Sequence, residues 1–243
     1  MCKQGKGKIK PEKELSKRLL LNSNTQTEAL QQARLKSWGK INLYRLRAVE
    51  RYAGQSVLDI GCSTGDYVTY LNVNGRTAFG LDVLADGIWV SNQFPRFVEG
   101  SASKLPFAPN TFDTVLAFEV LEHIPEPLET LKAIHQVCKR NIIISVPDCE
   151  MSDDMLRAGL LYAHWRDRTH CNFFTQQSLE EILRAGGFRV EKMTYINPIL
   201  PDFLVLRSFN VPFGPAYFAA RVLRRIPFRK QYRMTLLAVA NKV

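Results

Sequence analysis

An acid and two glycines follow a short apolar run near residue 60. Residues 56–60 are typical of a strand that is covered on both faces, and residues 66–71 begin a helix. Gly61 and Gly65 permit a positive φ and a close backbone approach, so a ligand can lie against the amide groups at the helix N-terminus. Asp59 can accept hydrogen bonds from a ligand ammonium group. The turn therefore predicts a site for a ligand that carries an ammonium group beside a carboxylate or a ribose.

A second acid, Asp82, ends the next predicted strand at residues 75–82. A carboxylate at the end of strand two is where a doubly wound fold binds the hydroxyls of a ribose. The spacing Gly61-x-Ser63-x-Gly65 does not match the nicotinamide fingerprint G-x-G-x-x-G, and it has no phosphate-binding lysine. The pattern therefore disfavours the nicotinamide and P-loop types of nucleotide site.

Strand and helix alternate over the rest of the chain, which predicts a doubly wound α/β fold with a mostly parallel sheet and helices on both faces. Further strands are predicted at 96–99, within 110–119, and at 140–146, 188–195 and 233–240, and helices at 41–52, 127–139 and 175–187. Thr25 begins a capping box for another N-terminal helix. We expect the 41–52 helix to pack across the sheet edge or over the mouth of the ligand site.

Several of these features resemble motifs of class I S-adenosylmethionine-dependent methyltransferases. The turn is similar to their motif I, acid-x-G-x-G-x-G, with Ser63 in place of the middle glycine. The Leu-Pro-Phe loop at 105–107 and the Phe-Glu-Val-Leu-Glu-His run at 118–123 resemble the type-11 methyltransferase group. The resemblance covers roughly residues 56–190, and it implies seven strands with the last one antiparallel.

The resemblance also implies that S-adenosylmethionine is the cofactor. The implied cofactor-binding residues are Asp59, Gly61, Ser63, Gly65, Asp82, Val83, Ser101, Ala102, Phe118 and Glu119. Asp59 and the glycines would line the methionine end, and Asp82 would hold the ribose hydroxyls. Ser101 stands where the group usually has an aspartate that accepts a hydrogen bond from the adenine amine, and a hydroxyl can still accept that bond.

Two imidazoles and two carboxylates could act on the acceptor. Glu119, Glu122 and His123 lie at i, i+3 and i+4, which predicts that they share one side of a helical turn, and His170 precedes a later helix. A hydroxyl acceptor needs its proton removed by a general base or by a metal that lowers its pKa. We predict His123, His170 and Glu122 as catalytic residues without a bound metal.

The alternative is Mg²⁺ or Mn²⁺ bound by Glu119, Glu122, His123 and His170. This arrangement is similar to the metal set of ubiquinone-pathway O-methyltransferases and of small-RNA terminal 2′-O-methyltransferases.

The composition fits one domain with a basic tail. The chain has 243 residues, 46% of them hydrophobic, and a formal net charge of +10. Residues 1–24 are predicted to be a basic, partly disordered tail and residues 25–243 a single domain. The five cysteines include no C-x-x-C pair, which favours reduced thiols in a cytoplasmic protein. No apolar run is long enough to span a bilayer.

Residues 196–232 form an insertion before the last strand, rich in proline, aromatic residues and arginine. Within it, residues 215–226 could form a basic amphipathic helix on an anionic bilayer, although we prefer a lid over the substrate pocket.

We therefore predict O-methylation of a small-molecule, glycosyl or lipid-linked acceptor, with peripheral membrane contact as a further expectation. One alternative is an RNA methyltransferase, which the net charge favours. Another is a non-catalytic cofactor-binding partner protein, which would be consistent with Ser63 and Ser101.

Overall fold

The computed structural model describes residues 41–87, 89, 96–158, 167–227 and 230–243. Its strands are β1 (Ser56–Ile60), β2 (Thr77–Asp82), β3 (Phe97–Glu99), β4 (Phe112–Phe118), β5 (Cys138–Pro147), β6 (Phe188–Pro198) and β7 (Arg233–Lys242). They form one sheet in the order β3-β2-β1-β4-β5-β7-β6. β7 runs antiparallel to both of its neighbours, and the pairs from β3 to β5 are parallel. The predicted doubly wound, mostly parallel seven-stranded sheet is confirmed.

Five of the described helices lie within a few residues of their predicted positions, and two others were not predicted. They are α1 (Leu43–Tyr52), α2 (Asp66–Val73), α3 (Pro127–Val137), α4 (Asp153–Arg157), α5 (Gln176–Ala185), α6 (Pro201–Ser208) and α7 (Phe213–Leu223). α1 begins later than predicted because the Asn42 side chain caps it by accepting hydrogen bonds from the amides of Tyr44 and Arg45. The unpredicted helices are α4 and α6. The N-terminal tail and the capping box at Thr25 lie outside the described residues.

The sheet is covered on both faces. Ile142, Ile143 and Ile144 of β5 are all fully buried. Ile142 and Ile144 pack in one core with Leu183 of α5, whereas Ile143 packs in a second core with Val49 of α1. A strand that is buried on both sides needs such a continuous apolar run, since alternate side chains face opposite cores.

α1 lies over the face of the sheet and contacts β5 and β7. Its Val49 belongs to the same core as Leu237 and Val239 of β7. The expectation that this helix crosses the sheet edge is therefore wrong, because its apolar stripe is used to cover the middle of the sheet. The other expected position, over the mouth of the ligand site, applies to the side chain of Arg45, which reaches Glu119 at the end of β4.

The insertion between β6 and β7 begins later than predicted because β6 extends to Pro198. Its two helices, α6 and α7, pack against each other, and we call residues 201–226 the α6–α7 hairpin. α6 has no buried residue, and α7 buries Ala216 and Ala220. Eight large apolar side chains of the hairpin are exposed: Leu204, Val205, Phe209, Phe213, Tyr217, Phe218, Val222 and Ile226. Among the described helices, none has both the length and the apolar character needed to cross a membrane.

Candidate active site

The turn between β1 and α2 has left-handed backbone at three positions. Gly61, Ser63 and Gly65 have φ values of 69°, 46° and 77°, which glycine adopts freely and serine at a cost. A side chain at Gly65 would also meet the ring of Phe97 at 2.4 Å. Gly65 precedes α2 and provides no side-chain cap. The first amide groups of α2 are therefore available to a ligand.

Asp82, at the end of β2, is hydrogen-bonded to this turn. Its Oδ2 accepts a hydrogen bond from the Ser63 amide at 2.8 Å, and its Oδ1 accepts one from the Leu84 amide at 3.3 Å. Trp89 stacks on Phe97, with ring centroids 5.1 Å apart, and donates its indole N–H to the Ser63 carbonyl at 2.8 Å. Ser63 is thus held through both its amide and its carbonyl, which accounts for its positive φ.

A cavity of about 620 Å³ opens beside this turn, at the carboxyl ends of β1, β2 and β4. We call it the donor cavity. Its lining includes the predicted residues Gly61, Asp82, Val83, Ser101, Ala102, Glu119 and His123. The other predicted cofactor-binding residues, Asp59, Ser63, Gly65 and Phe118, are not in its wall, and Asp59 is only 3% exposed. The volume lies within the usual range for small-molecule sites, and the position is where doubly wound folds bind their ligands.

Glu119 follows β4 with a strained backbone, at a φ of 56°. Its Oε1 accepts hydrogen bonds from Arg45 Nη2 at 2.5 Å and from Ser145 Oγ at 3.0 Å. The guanidinium of Arg45 also lies over the ring of Phe118, 5.4 Å from its centroid. Arg45 thus brings a positive charge from α1 to the wall of the donor cavity.

The prediction that Glu119 shares one side of a helical turn with Glu122 and His123 is wrong. The turn is a single 3₁₀ turn, Leu121–His123, and Glu119 lies before it. The Glu119 carboxylate pairs with Arg45 and does not belong to the cluster of ligand atoms formed by Glu122, His123 and His170.

The loop that contains His170 is bound to this 3₁₀ turn. Asn172 donates its side-chain amide to the carbonyls of Leu121 and Ile124, at 3.1 Å and 2.5 Å. As a result, the rings of His123 and His170 meet edge to face, with centroids 4.7 Å apart. The fold therefore brings together two predicted catalytic residues that lie far apart in the sequence.

A chain of hydrogen bonds determines which nitrogen of His123 carries the proton. Thr169 donates its hydroxyl proton to Asp167 Oδ1 at 2.6 Å. His123 Nδ1 lies 3.0 Å from the same hydroxyl oxygen and 3.3 Å from the Thr169 carbonyl. Since that hydroxyl proton is already used and a carbonyl only accepts, Nδ1 must donate. In the neutral ring, Nε2 is then free to accept a proton. The hydrogen bonds from Thr169 also hold the pKa of Asp167 below its usual range.

Glu122 is a buried acid without a hydrogen-bonded partner. It is 1% exposed, and neither carboxyl oxygen has a hydrogen-bond partner among the described residues. Burial, followed by repulsion from Glu119, raises its pKa to about 8, so the carboxyl is mostly protonated at neutral pH. Ligand atoms of Glu122, His123 and His170 lie within 4.8 Å of one another. The structure thus gathers three of the four residues in the alternative metal set and leaves out Glu119.

The sequence pattern of the methyltransferase domain family matches residues 26–193 of the chain, which is more than half of its length. The match includes the turn after β1, the end of β4 and both histidines of the site. The chain belongs to this family. It is an S-adenosylmethionine-dependent methyltransferase of class I, and the resemblance to the type-11 group is confirmed.

Related methyltransferases modify different kinds of atom. The ubiquinone biosynthesis O-methyltransferase of Methylococcus capsulatus is 25% identical over 203 residues, which cover 75% of this chain and 86% of that protein. The sterol 24-C-methyltransferase of Gibberella zeae is 32% identical over 111 residues, which cover 41% of this chain but only 29% of that enzyme. The names specify oxygen and carbon acceptors, so the family establishes the class of reaction and leaves the acceptor open.

A solved methyltransferase structure has the same fold at low sequence identity. It is the 1,6-didemethyltoxoflavin-N1-methyltransferase of Burkholderia thailandensis, with bound 1,6-didemethyltoxoflavin and S-adenosylhomocysteine. The TM-score is 0.56 at 20% identity, and the alignment covers 98% of this chain and 93% of that one. This likeness supports the fold.

The acids of the methyltransferase site suit a cationic cofactor. The Asp59 carboxyl is buried close to Asp82. Burial, followed by repulsion from Asp82, raises the pKa of Asp59 to about 8, whereas Arg45 lowers it. A ligand ammonium or sulfonium group would supply the missing positive charge, and S-adenosylmethionine has both of these groups.

Sequence reasoning missed the residues that position the site. Arg45 and Trp89 carried no local signal, because their partners lie 74 and 26 residues away in the chain. Thr169 had one available signal, the pattern Asp167-x-Thr169. An aspartate often accepts hydrogen bonds from the residue two positions later, as it does here from the Thr169 amide at 2.9 Å.

We expect the ligand-free methyltransferase to lose stability as the pH rises from 5 to 8. In this window the native Asp59 keeps a proton that the unfolded chain has released, which costs at most about 1.4 kcal/mol per pH unit for one group. Asp59→Asn should therefore flatten the pH dependence of the urea denaturation midpoint. Glu122 has the same raised pKa, so Glu122→Gln should flatten it as well.

Asp113→Asn is the matched control for this measurement. A hydrogen bond from the Ser56 amide holds the pKa of Asp113 below its usual range, so this carboxylate is ionised in both states above pH 5. Its substitution should lower the free energy of unfolding evenly between pH 5 and 8. A profile of Asp59→Asn that runs parallel to the wild-type profile would contradict the assignment of a protonated Asp59.

Proposed function

We propose that this methyltransferase acts on a hydroxyl group of a small-molecule, glycosyl or lipid-linked acceptor. The observation that carries the proposal is the tautomer of His123, which leaves Nε2 as a base in the wall of the donor cavity. A hydroxyl group must lose its proton as its oxygen attacks a methyl carbon, so a positioned base suits an oxygen acceptor. The name of the Methylococcus relative, an O-methyltransferase, is further support.

The proposed cofactor contacts combine the walls of the donor cavity with the resemblance to class I methyltransferases. When bound, S-adenosylmethionine supplies a methyl group on a positively charged sulfur. We assign its methionine end to Asp59, Gly61 and Gly65, and its ribose hydroxyls to Asp82. Ser101, whose hydroxyl lies 2.9 Å from that of Ser103, would accept a hydrogen bond from the adenine amine without adding charge.

In this proposal His123 Nε2 would accept the acceptor's hydroxyl proton as the acceptor oxygen takes the methyl group, and the donor would leave as the neutral thioether S-adenosylhomocysteine. Thr169 and Asp167 hold the ring in orientation, and the Asp167 carboxylate stabilises the imidazolium that forms. His170 packs against the base, and its Nε2 lies 3.7 Å from Asp167 Oδ2. Glu122 stays mostly protonated at neutral pH and adds little charge beside the base.

Residues 25–243 would form one catalytic domain, preceded by the basic tail at 1–24. That tail, which contributed to the RNA alternative, lies outside the described residues.

We expect His123→Ala to lower kcat by about 10²–10⁴ because the base is lost. Thr169→Val should also lower kcat, since the ring loses the hydroxyl that selects its tautomer, whereas Thr169→Ser should retain near wild-type activity. The measurement is release of S-adenosylhomocysteine with a panel of phenolic, glycosyl and isoprenoid alcohol acceptors. All variants should still bind S-adenosylhomocysteine. Full activity of His123→Ala on a hydroxyl acceptor would contradict the proposed base.

A second candidate mechanism is metal-assisted O-methylation. It is favoured by the two unpartnered oxygens of Glu122 and by the cluster with His123 and His170. Bonds of about 2.0–2.3 Å to one ion place two ligand atoms about 4.6 Å apart only when they lie on opposite sides of the ion, so the three side chains would need to move closer together to bind one. An ion held there would lower the pKa of an acceptor hydroxyl. His123 could not then act as the free base, so the two mechanisms exclude each other.

Calorimetric titration of Mn²⁺ into protein saturated with S-adenosylhomocysteine distinguishes the two mechanisms. If the metal candidate holds, we expect one-to-one binding that is lost in Glu122→Gln, because an amide of the same shape is a poor ligand. Glu119→Gln is the control, since Arg45 already binds that carboxylate, and it should retain the metal. A titration without heat would remove the metal candidate and leave His123 as the base.

We also propose that the α6–α7 hairpin contacts an anionic membrane. Phe209, Phe213 and Phe218 are 77%, 65% and 71% exposed, and Arg207 and Arg221 lie on the same two helices. An apolar surface bordered by arginines suits acyl chains and anionic headgroups. The alternative that the sequence favoured, a lid over the substrate pocket, would require these rings to face that pocket instead of a membrane.

Flotation with phosphatidylglycerol vesicles tests this contact. We expect the wild type to float and Phe213→Ser with Phe218→Ser to float much less, since two apolar anchors are lost. Leu156→Ser, at an exposed apolar position of α4 outside the hairpin, is the control and should float like the wild type. Equal flotation of the double variant and the wild type would contradict the proposed contact.

A further inference from the structure

A second cavity, of about 570 Å³, lies on the face of the sheet that α1 covers. We call it the basic cleft because six cationic side chains line it. They are Arg47 and Arg51 of α1, Lys192 of β6, Arg224 and Arg225 at the end of α7, and Arg233 of β7. Among the described residues, no acid belongs to its lining. The cleft shares no lining residue with the donor cavity.

Much of this positive charge has no counter-ion in the described part of the chain. Arg47, Lys192 and Arg225 form no ion pair with a described carboxylate. Glu50, which lies between Arg47 and Arg51 in the sequence of α1, pairs with Arg76 at 2.9 Å. Gathered like charges repel one another, so an anionic ligand would relieve repulsion as well as form new bonds.

Neutral partners hold two of the arginines in position. Arg224 Nη1 donates to the Tyr44 hydroxyl at 3.4 Å. Arg233 donates from Nη1 to the Tyr195 carbonyl at 2.8 Å and from Nη2 to Gln231 Oε1 at 3.3 Å. Guanidinium groups that are oriented in advance lose less conformational entropy when they bind phosphate oxygens.

The floor of the cleft is apolar. Ile196 of β6 and Leu237 and Val239 of β7 line it and are buried. The cleft therefore combines cations from several walls with an apolar base, which suits a ligand that has both charged and apolar parts.

The cleft also adjoins a third cavity, of about 420 Å³, that includes Asp148 and Met151 just beyond β5. Tyr195, Gln231 and Arg233 line both cavities. A ligand held in the cleft could therefore extend towards the carboxyl edge of the sheet.

We propose that the basic cleft binds the phosphate groups of a phosphorylated ligand, and that a diphosphate is the class that suits it. The cations that line the cleft come from α1, from β6 and β7 and from the end of α7, so neighbouring phosphates could be contacted from more than one element. A single carboxylate could pair with only one or two of these cations. The volume accommodates a diphosphate with an attached ring or chain. This inference goes beyond the proposed function, and binding alone tests it.

The probe is inorganic pyrophosphate, titrated calorimetrically into the full-length protein at low salt. We expect the wild type to bind it and Arg47→Gln with Arg225→Gln to bind at least about tenfold more weakly, because two charge-assisted contacts are lost. Arg189→Gln, which removes an exposed arginine of β6 outside the cleft, is the matched control and should bind like the wild type. Retained binding of S-adenosylhomocysteine shows that each variant is folded. Absence of pyrophosphate binding, or equal weakening in Arg189→Gln, would overturn the proposal.

Competition identifies the source of the phosphate groups. Displacement of pyrophosphate by vesicles that contain phosphatidic acid would support a lipid headgroup, and retention of pyrophosphate would support a soluble phosphorylated ligand. A short single-stranded RNA that binds more tightly than pyrophosphate, and loses affinity in the same double variant, would overturn the assignment in favour of nucleic acid. The Phe213 and Phe218 substitutions should leave the pyrophosphate titration unchanged, which separates this proposal from the membrane contact.

Discussion

The ion pair between Arg45 and Glu119 joins the helix before the sheet to the end of β4, where the methyl donor cavity opens. Ser145 of β5 donates a second hydrogen bond to the same carboxylate oxygen. The side chains of Arg45 and Glu119 are only 15% and 34% exposed, so removal of either partner would leave a poorly solvated charge. These contacts also over-determine the conformation of Glu119, which accounts for its positive φ at the cavity wall.

α1 supplies positive charge to two sites of opposite character. Its Arg45 faces a site rich in acids, where Asp59 and Glu122 are buried and have raised pKa values. Arg47 and Arg51 face the basic cleft, whose described lining has no acid. Arg45 and Arg47 point to different sides because residues two apart on a helix are separated by about 200°. One helix thus helps to separate a site suited to a cationic cofactor from a cleft suited to an anion.

The sheet could be predicted because its signals are local. The apolar run of β5 indicated a strand buried on both faces, and the threonine at 175 and the glycine at 186 correctly bounded α5. α6 was missed because its eight residues bury no side chain and so leave no apolar stripe in the sequence. The position of α1 was wrong in part, since an amphipathic pattern identifies a buried side without identifying the surface that covers it.

The sequence by itself determined the methyltransferase family, the strained turn after β1, the acid that ends β2 and the two histidines as candidates. Each depends on residue types at short spacing, which backbone preferences and strand periodicity convert directly into structure. Only the tertiary structure decided that Glu119 forms an ion pair with Arg45, that the described residues give Glu122 no hydrogen-bond partner and that Thr169 selects the tautomer of His123. The partners in these contacts lie 74 and 46 residues apart, so their chemistry depends on which chain segments the fold brings together.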